Sequence, residues 1–544
     1  MAQLKFAADI TEAEFPLLFK YAGRSVIQSQ GDISGNPPPI FHLPSVLYCQ
    51  DVLPTKAGYS SVGYKNIYAA ATPTNNNFSK IFTVGDVNQN KSKLAITTDS
   101  HIYMLSPASG VWSDVTPAGW TGGDAVTVAS ANGTSYCWLA GVGLYAIDPV
   151  AATLTSAPTV SSGSPSVPYP PVAEILGCFS SVNYLCLYSV NTIYWCDTLG
   201  NPLDFVPSLI TGAGSAIPND LAGAIVTVVP LINGYIVYTT ENIILASFSN
   251  NTQFPWIFVN AGNGSGISSS TQVSTEPNLA FHVALTFAGL LKISAAGCEQ
   301  LVPEVTDFIA SQVIEAYDHV NNIVVSTDLT DNVQTALSII GARYIVLSYA
   351  VTGTNGFTDA LIYDLALNRW GKLHVNHASI FEFNTSITSN PATYDNYPNA
   401  YNTYPQQYNS TIPTSISSPP SVGSNFGVFC TDGSIDLVTV NYDSTTDAAV
   451  LLLGKFQLVR GYTFTLQGIE VETINPVSNF TLTDYPSIDG KTLLSARPLN
   501  QLGVNTSGLS VYGSRIAAKN HILALKGSFD LTFLEITAVM GGRR

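Results

Sequence analysis

AIVTVVPLINGYIVYTTENIILAS, residues 224–247, holds three apolar runs, at 224–230, 235–239 and 243–247, separated by short breaks containing Asn, Gly and Glu. Each run is too short for a helix and is built from Val, Ile and Tyr, residues that pack well on a pleated surface, so the stretch reads as three successive β-strands. The same pattern extends in both directions. Runs at 93–98 with 102–105, 125–129 with 136–139, and 184–189 with 192–196 come before it. Runs at 279–286 with 290–294, 323–327, and 344–350 with 359–364 come after it. Strand pairs recur about every 40 to 50 residues, the period of propeller blades. Three segments echo one another: 103–112 (YMLSPASGVW), 144–153 (LYAIDPVAAT) and 362–370 (IYDLALNRW). Each is an apolar strand, a short turn, then an aromatic or Thr, as an outer blade hairpin would be. Helical windows are few: residues 308–317 (FIASQVIEAY), and residues 7–22, interrupted by Pro16. A parallel α/β fold is therefore disfavoured, and the expected class is all-β: a β-propeller followed by a small antiparallel β-sandwich or platform.

Charge is distributed very unevenly. Only 11% of the 544 residues are charged and 46% are hydrophobic, with a formal net charge of −16. Residues 94–291 contain neither lysine nor arginine, yet they hold Asp99, Asp114, Asp124, Asp148, Glu174, Asp197, Asp204, Asp220, Glu241 and Glu276. Phosphate recognition normally uses arginine forks, lysine points or a glycine-rich helix start, and gripping a nucleic-acid backbone needs cations that displace counterions. The middle of this chain offers DNA a repelling wall. By contrast, Arg460, Arg497, Arg515, Arg543 and Arg544, five of eight arginines, lie near the C-terminus.

A composition break rich in Tyr, Asn, Pro, Ser and Thr begins at Asn384, and such a stretch cannot build a core of its own. Four parts are expected: residues 1–55, an N-terminal arm and lead-in segment; 56–383, the propeller; 384–425, a loop or extension; and 426–544, a closing propeller hairpin and the C-terminal antiparallel platform. Within the last, Asp432-Gly433 between apolar runs suits a two-residue type I′ hairpin turn. The N-terminus lacks the basic-then-apolar pattern of a secretory signal, and no apolar stretch reaches the ~18 residues of a membrane span, so synthesis in a cytoplasm is expected.

Motifs of chemistry are scarce. Cys49, Cys137, Cys178, Cys186, Cys196, Cys298 and Cys430 form no CxxC pair and read as free buried thiols. His374 and His377 are three apart on an extended segment, hence on opposite faces and not a metal pair. Glu299, Glu304, Asp307, Glu315 and Asp318 read as a solvated acidic face without calcium-loop spacing. The sequons at Asn132 and Asn263 would stay unused in a cytoplasmically made protein, and Gly262–Gly266 lacks the helix of a phosphate cradle. No catalytic, cofactor-binding or metal-ligating residue is expected.

Several segments together resemble the β-propeller tail proteins of short-tailed bacteriophages (podoviruses), the nozzle or hub proteins of the tail tubular protein B type. They are residues 49–64 (CQDVLPTKAGYSSVGY), 102–117 (IYMLSPASGVWSDVTP), 192–205 (TIYWCDTLGNPLDF), 223–247, 287–302, 360–370 (ALIYDLALNRW) and 426–436 (FGVFCTDGSID). The resemblance implies a non-enzymatic virion component: a ring homo-oligomer, most often a hexamer, sited below the portal and adaptor ring of the tail. Such a ring contacts fibres or tip proteins, retains the packaged DNA, and provides the channel for genome ejection without specific DNA binding. It would be assembled in the host cytoplasm. Two other classes fit parts of the pattern. A sialidase-like propeller needs an arginine cluster, and the propeller region has only Arg343 and Arg369, whereas a neutral-sugar glycosidase needs only two suitably spaced carboxylates. A glycan-binding or adhesion propeller would stack sugars on Trp112, Trp120, Trp138, Trp195 or Trp256 and on the tyrosines near residue 400, although these tryptophans sit in strand patterns that suit a core.

Overall fold

The structure is a computed structural model. It describes residues 3–9, 45–56, 58–68, 78–88, 90–106, 111–121, 126–159, 169–197, 201–251, 254–263, 265–302, 304–329, 333–383, 426–440, 449–456, 462–473, 479–487, 495–504, 510–513 and 515–543. The composition break at 384–425 lies outside the described residues.

Strands β1 (Gln3–Asp9), β2 (Ser45–Gln50), β3 (Val52–Pro54) and β4 (Tyr59–Tyr68) come first. Five antiparallel four-stranded meanders follow. Blade 1 is β5–β8 (Phe78–Gly85, Lys91–Thr97, Ile102–Leu105, Trp112–Asp114), and blade 2 is β9–β12 (Val126–Ala131, Thr134–Leu139, Gly143–Asp148, Thr153–Ser156). Blade 3 is β13–β16 (Ile175–Ser181, Tyr184–Ser189, Ile193–Trp195, Gly214–Ala216), and blade 4 is β17–β20 (Ile225–Leu231, Gly234–Thr239, Asn242–Phe248, Trp256–Asn263). Blade 5 is β21–β24 (Val273–Thr275, Phe281–Thr286, Gly289–Ser294, Gly297–Gln300). Helix α1 (Glu304–Ala310) and the hairpin β25–β26 (Val313–Asp318, Ile323–Asp328) lead into blade 6, β27–β30 (Val333–Ile340, Tyr344–Val351, Phe357–Asp364, Arg369–His377). Blade 7 has three strands from this end of the propeller, β31 (Ser379–Glu382), β32 (Phe426–Phe429) and β33 (Ile435–Val440). Its fourth is β4, paired with β33 from Val62↔Val440 to Tyr68↔Ile435.

The blades form a closed circle, because each neighbouring pair encloses its own apolar cluster. Blades 1 and 2 share Leu94, Ile96, Met104 and Trp120 with Cys137 and Leu139; blades 3 and 4 share Trp195 and Tyr188 with Tyr235 and Trp256. The circle shuts where Phe78, Tyr103 and Trp112 of blade 1 meet Phe429, Ile435 and Leu437 of blade 7. Alternate residues of one strand serve opposite neighbours: on β18, Tyr235 and Val237 pack toward blade 3, while Ile236 and Tyr238 pack toward blade 5. Both faces are buried, so these strands read as unbroken apolar runs and not as alternation.

The remaining strands are β34 (Val450–Phe456), β35 (Tyr462–Thr473), β36 (Asn479–Ser487), β37 (Arg497–Val504), β38 (Ser510–Gly513), β39 (Ala517–Ala518), β40 (Asn520–Ser528) and β41 (Asp530–Arg543). They build a sandwich. One sheet runs β2-β34-β40-β36-β37 and the other β1-β41-β35-β38-β37, with β37 belonging to both. Leu451, Leu453, Phe464, Leu466, Ile469, Leu523, Leu525 and Ile536 fill the space between them. Residues 3–9 and 45–50, which the sequence sets apart as an arm, supply the edge strands of this sandwich.

Several local expectations need correction. Residues 308–317 do not form one helix: α1 stops at Ala310, and 313–318 pair as β25, where Val313, Glu315 and Tyr317 point inward. Of the window 7–22, residues 7–9 belong to β1 and the rest lie outside the described residues. At Asp432-Gly433 the hairpin is present, but only Gly433 has positive φ (86°). The Gly433 N–H donates to the Cys430 carbonyl (3.0 Å), so this is a four-residue turn, Cys430–Gly433, that ends on a left-handed glycine, and not a type I′ pair.

The sequence echo does mark outer hairpins, since its three segments form β7–β8, β11–β12 and β29–β30. In the last two an aspartate builds the turn. Asp148 Oδ1 accepts the N–H groups of Val150 and Ala151, and Asp364 Oδ1 accepts those of Ala366 and Leu367. Asp318 does the same for Val320 and Asn321 in β25–β26. Each turn then needs a left-handed residue: Ala152 (φ 51°), Asn368 (φ 53°) and Asn322 (φ 53°). Alanine is the poorest fit of the three, because its Cβ crowds the carbonyl in that region. Ala152→Gly is therefore expected to raise stability by about 1 kcal/mol, and Asn368→Ala to lower it by a similar amount, in denaturant melts.

Candidate functional surface and the buried junction

Blades 2 to 4 form an arc without a single lysine or arginine. Lys93 stands just before the gap, but it is buried, with Nζ donating to Thr83 Oγ1 (2.7 Å) and lying 4.4 Å from the Phe381 ring centre. Burial pulls its ammonium down to about 8. Four carboxylates of the gap build turns. Asp114 accepts from the Thr116 N–H, Asp148 as above, Asp204 from Val206, and Glu276 from Asn278 and Ala280. They occupy the ends of strands and the connections between them. The first strands of the blades line the propeller's own axis, as contacts between successive ones show. On those strands (β5, β9, β13, β17, β21, β27 and β31) the only charged residues are Lys80 and Glu382. The axial lining is neutral and the blade ends carry the negative charge.

The propeller joins the sandwich through a buried polar junction with no local signature in the chain. Asp51 sits between β2 and β3 with φ 53°. Its Oδ1 accepts from Tyr64 Oη (2.5 Å) and from the His374 N–H (2.9 Å). On blade 6, Asp359 Oδ1 lies 3.0 Å from Lys372 Nζ and 2.9 Å from His374 Nδ1. Lys372 Nζ also donates to the Glu315 carbonyl (2.6 Å) and lies 5.2 Å from the Tyr48 ring centre and 5.9 Å from that of Tyr349. Tyr48 hydroxyl donates to Gln50 Oε1 (2.9 Å), Tyr317 stacks on Tyr48, and the Tyr317 and Tyr485 hydroxyls are 2.9 Å apart. One network thus ties β2, β25, blade 6 and the sandwich strand β36 together.

Opposing forces set the protonation there. Burial is the largest influence on the Asp359 carboxyl and would raise it, but the Lys372 charge together with the hydrogen bonds from His374 and Thr358 outweighs burial and holds it down at about 2. Burial would likewise discharge Lys372, but Asp359 keeps it protonated, well above its ordinary value. Asp51 has no such partner, and burial pushes it up to about 6 despite its two hydrogen bonds. His374 is raised, chiefly by its bond to Asp359.

The other singled-out residues are structural. His377 is fully buried with Nε2 2.8 Å from Ser348 Oγ, on the face of β30 opposite to His374. Arg343 is clamped by Asp364 (2.6 and 3.0 Å), and Arg369 donates to the Thr55 carbonyl (3.1 Å). Trp112, Trp120, Trp138, Trp195 and Trp256 are all buried between blades and offer no sugar-stacking face. All seven cysteines are free; five are buried, Cys430 is half-buried, and Cys298 is exposed, unlike the expectation for it. Glu315 is buried and accepts from Ser326 Oγ (2.9 Å), so it does not belong to a solvated acidic face. Among the described residues, no three His, Cys, Asp or Glu side chains come together as a metal site, and no helix is long and apolar enough to cross a membrane. No protein-family model matches the chain, and no curated protein matches it in sequence.

Two outcomes follow for the junction. Lys372→Met leaves Asp359 buried and without its ammonium partner, and is expected to cost about 3–5 kcal/mol in denaturant melts. Asp51 acts with the opposite sign. A carboxyl whose folded pKa is raised favours folding when protonated, and that contribution is lost as pH rises from its ordinary value through about 6. Asp51→Asn, which keeps an acceptor for Tyr64 and the His374 N–H, should therefore exceed wild type by about 2 kcal/mol at pH 8. The gap should close as pH falls toward 4; melts of the two proteins across that range are the check.

Proposed function

We propose that this protein is a structural, non-enzymatic subunit of a short-tailed bacteriophage tail, a nozzle or hub component that assembles as a ring, holds the packaged genome, and forms part of its exit channel. The observation that carries this reading is the cation-free arc of blades 2 to 4, whose charged groups are all carboxylates or carboxylic acids. A phosphate polymer finds no arginine fork or lysine on such a surface, so DNA passing beside it slides and does not bind. The architecture supports the same role. A propeller in which every blade is buried on both faces is stiff, and the sandwich is tied to it by the buried junction and by a shared strand, β4. The tryptophans that an adhesion propeller would use are occupied in the core.

Two measurements test the proposal. Electron-microscope images of the purified protein should show rings with an axial hole. Titration with duplex DNA at low salt should give no saturable binding. A monomer at every concentration, or tight association with DNA that weakens steeply with salt, would overturn it.

A further inference from the structure

Among the described residues three histidines are fully buried, His282, His377 and His521, and two of them are satisfied without charge. A neutral imidazole has one N–H donor and one acceptor nitrogen, whereas the imidazolium has two donors and no acceptor. His282 Nε2 lies 2.8 Å from the Pro230 carbonyl, and its Nδ1 lies 3.0 Å from the Tyr238 hydroxyl. His377 Nδ1 lies 2.7 Å from the Val375 carbonyl, and its Nε2 lies 2.8 Å from the Ser348 hydroxyl. In each ring one nitrogen donates to a carbonyl and the other accepts from a hydroxyl. Burial pulls both rings down to about 4, in keeping with that neutral arrangement.

His521 is placed differently. Its Nδ1 lies 2.8 Å from Asp484 Oδ2 and its Nε2 lies 3.4 Å from the Phe464 carbonyl, with no hydroxyl on either side. The carbonyl can only accept, so Nε2 carries a hydrogen. A bare Nδ1 cannot bond an ionised carboxylate, so a second proton lies between Nδ1 and Asp484. Both bonds therefore exist only while the pair holds one proton more than a neutral imidazole beside a carboxylate. Asp484 and His521 are completely buried, and Asp484 Oδ1 has no hydrogen-bond partner among the described residues, so His521 alone compensates the carboxylate. Asp484 stands two residues after Leu482 and His521 two before Leu523, and strand alternation puts both on the face that fills the sandwich core. On the flanking strands Phe456 of β34 is in register with His521, and Arg497 of β37 is in register with Asp484 but is exposed. Phe464 belongs to the opposite sheet, where its ring centre lies 4.6 Å from that of His521. The imidazole thus bridges the two sheets. It does so at the corner where β37 changes sheets, pairing with β36 through Arg497–Leu499 and with β38 from Asn500 onward.

We infer that a single proton, shared by Asp484 and His521, clasps the two sheets of the sandwich at this corner, and that its loss as pH rises frees β36 and β37 from β35. Without the proton one nitrogen of the ring turns a lone pair toward an acceptor, a cross-sheet bond is lost, and a buried carboxylate is left without its counter-charge. The sign follows from proton counting. An imidazole open to water gives up its proton near pH ~6.5. Above that pH the opened corner binds one proton fewer than the closed one, so opening becomes easier by about tenfold for each pH unit, until the closed pair releases its proton too. Below it the clasp is fully made. The clasp lies inside one chain and works in the same way whether or not copies assemble.

Two measurements on the full chain test the clasp. Nitrogen-15 spectra of protein labelled at histidine should show two hydrogens shared along the His521 ring and its Asp484 bond at neutral pH, against one ring hydrogen each for His282 and His377. Hydrogen exchange, corrected for the intrinsic effect of pH, should show peptides covering residues 479–487 and 497–504 losing protection by about tenfold per unit above neutral pH, while β18 stays unchanged. Asp484→Leu with His521→Leu replaces the pair by apolar side chains, a change that buried ion pairs often tolerate, and should abolish that slope. A single hydrogen at His521 at neutral pH, or the same slope in wild type and the double variant, would overturn the clasp. If the double variant does not fold, the hydrogen count at His521 decides by itself.

Discussion

Everything in this fold hangs on one strand that is far from its partners in sequence. Tyr59–Tyr68 supplies the fourth strand of blade 7 through its pairing with β33, and at its other end Tyr59 and Ser60 pair with Leu531 and Asp530 of the sandwich. Ser61 adds a reciprocal clasp, its hydroxyl donating to the Phe529 carbonyl (3.1 Å) and accepting from the Phe529 N–H (2.9 Å). Without β4, blade 7 would have an open edge and the clusters on either side of it would face water. The long separation is not a large obstacle. Loop-closure entropy grows with the logarithm of length, so each doubling costs only ~0.6 kcal/mol, less than the gain from burying one large apolar side chain such as Val62.

The acidity of the chain has two layers. Much of it is turn chemistry: a propeller needs many tight reversals, and aspartate satisfies two backbone N–H groups in each of several of them. That layer needs no functional explanation. What turn chemistry does not explain is the absence of cations, because lysine on the outer strands would cost nothing structurally and would protect the exposed edge of β20. The missing lysines of blades 2 to 4 are the feature that the proposed DNA-passing role accounts for. The neutral lining of the propeller's own axis shows that the negative field comes from the blade ends.

The sequence disclosed what is local. Strand runs are visible because each blade is apolar on both faces, and the outer hairpins are visible because their aspartate turns repeat as DPVAA and DLALN. What it hid is long-range. Nothing in residues 59–68 announces pairing with residues 435–440, and nothing in residues 3–9 or 45–50 distinguishes a sandwich edge from a free arm. The junction was hidden for a different reason. Asp51, Asp359, Lys372 and His374 are ordinary polar residues in their own segments, and only folding brings them out of water together. Residues 308–317 misled because FIASQVIEAY has an apolar spacing that fits a helix at its start and a strand at its end, and the buried partners of Tyr317, which are Gln50, Tyr48 and Tyr485, decide for the strand.

The most direct check on this account is hydrogen exchange followed by mass spectrometry, read on the peptide that covers residues 59–68. If β4 is the shared closure of propeller and sandwich, its amides should be as protected as those of β18 and β40 and should lose protection together with both bodies as denaturant is added. Rapid exchange of that peptide while the blades and the sandwich remain protected would mean that the two bodies stand without it.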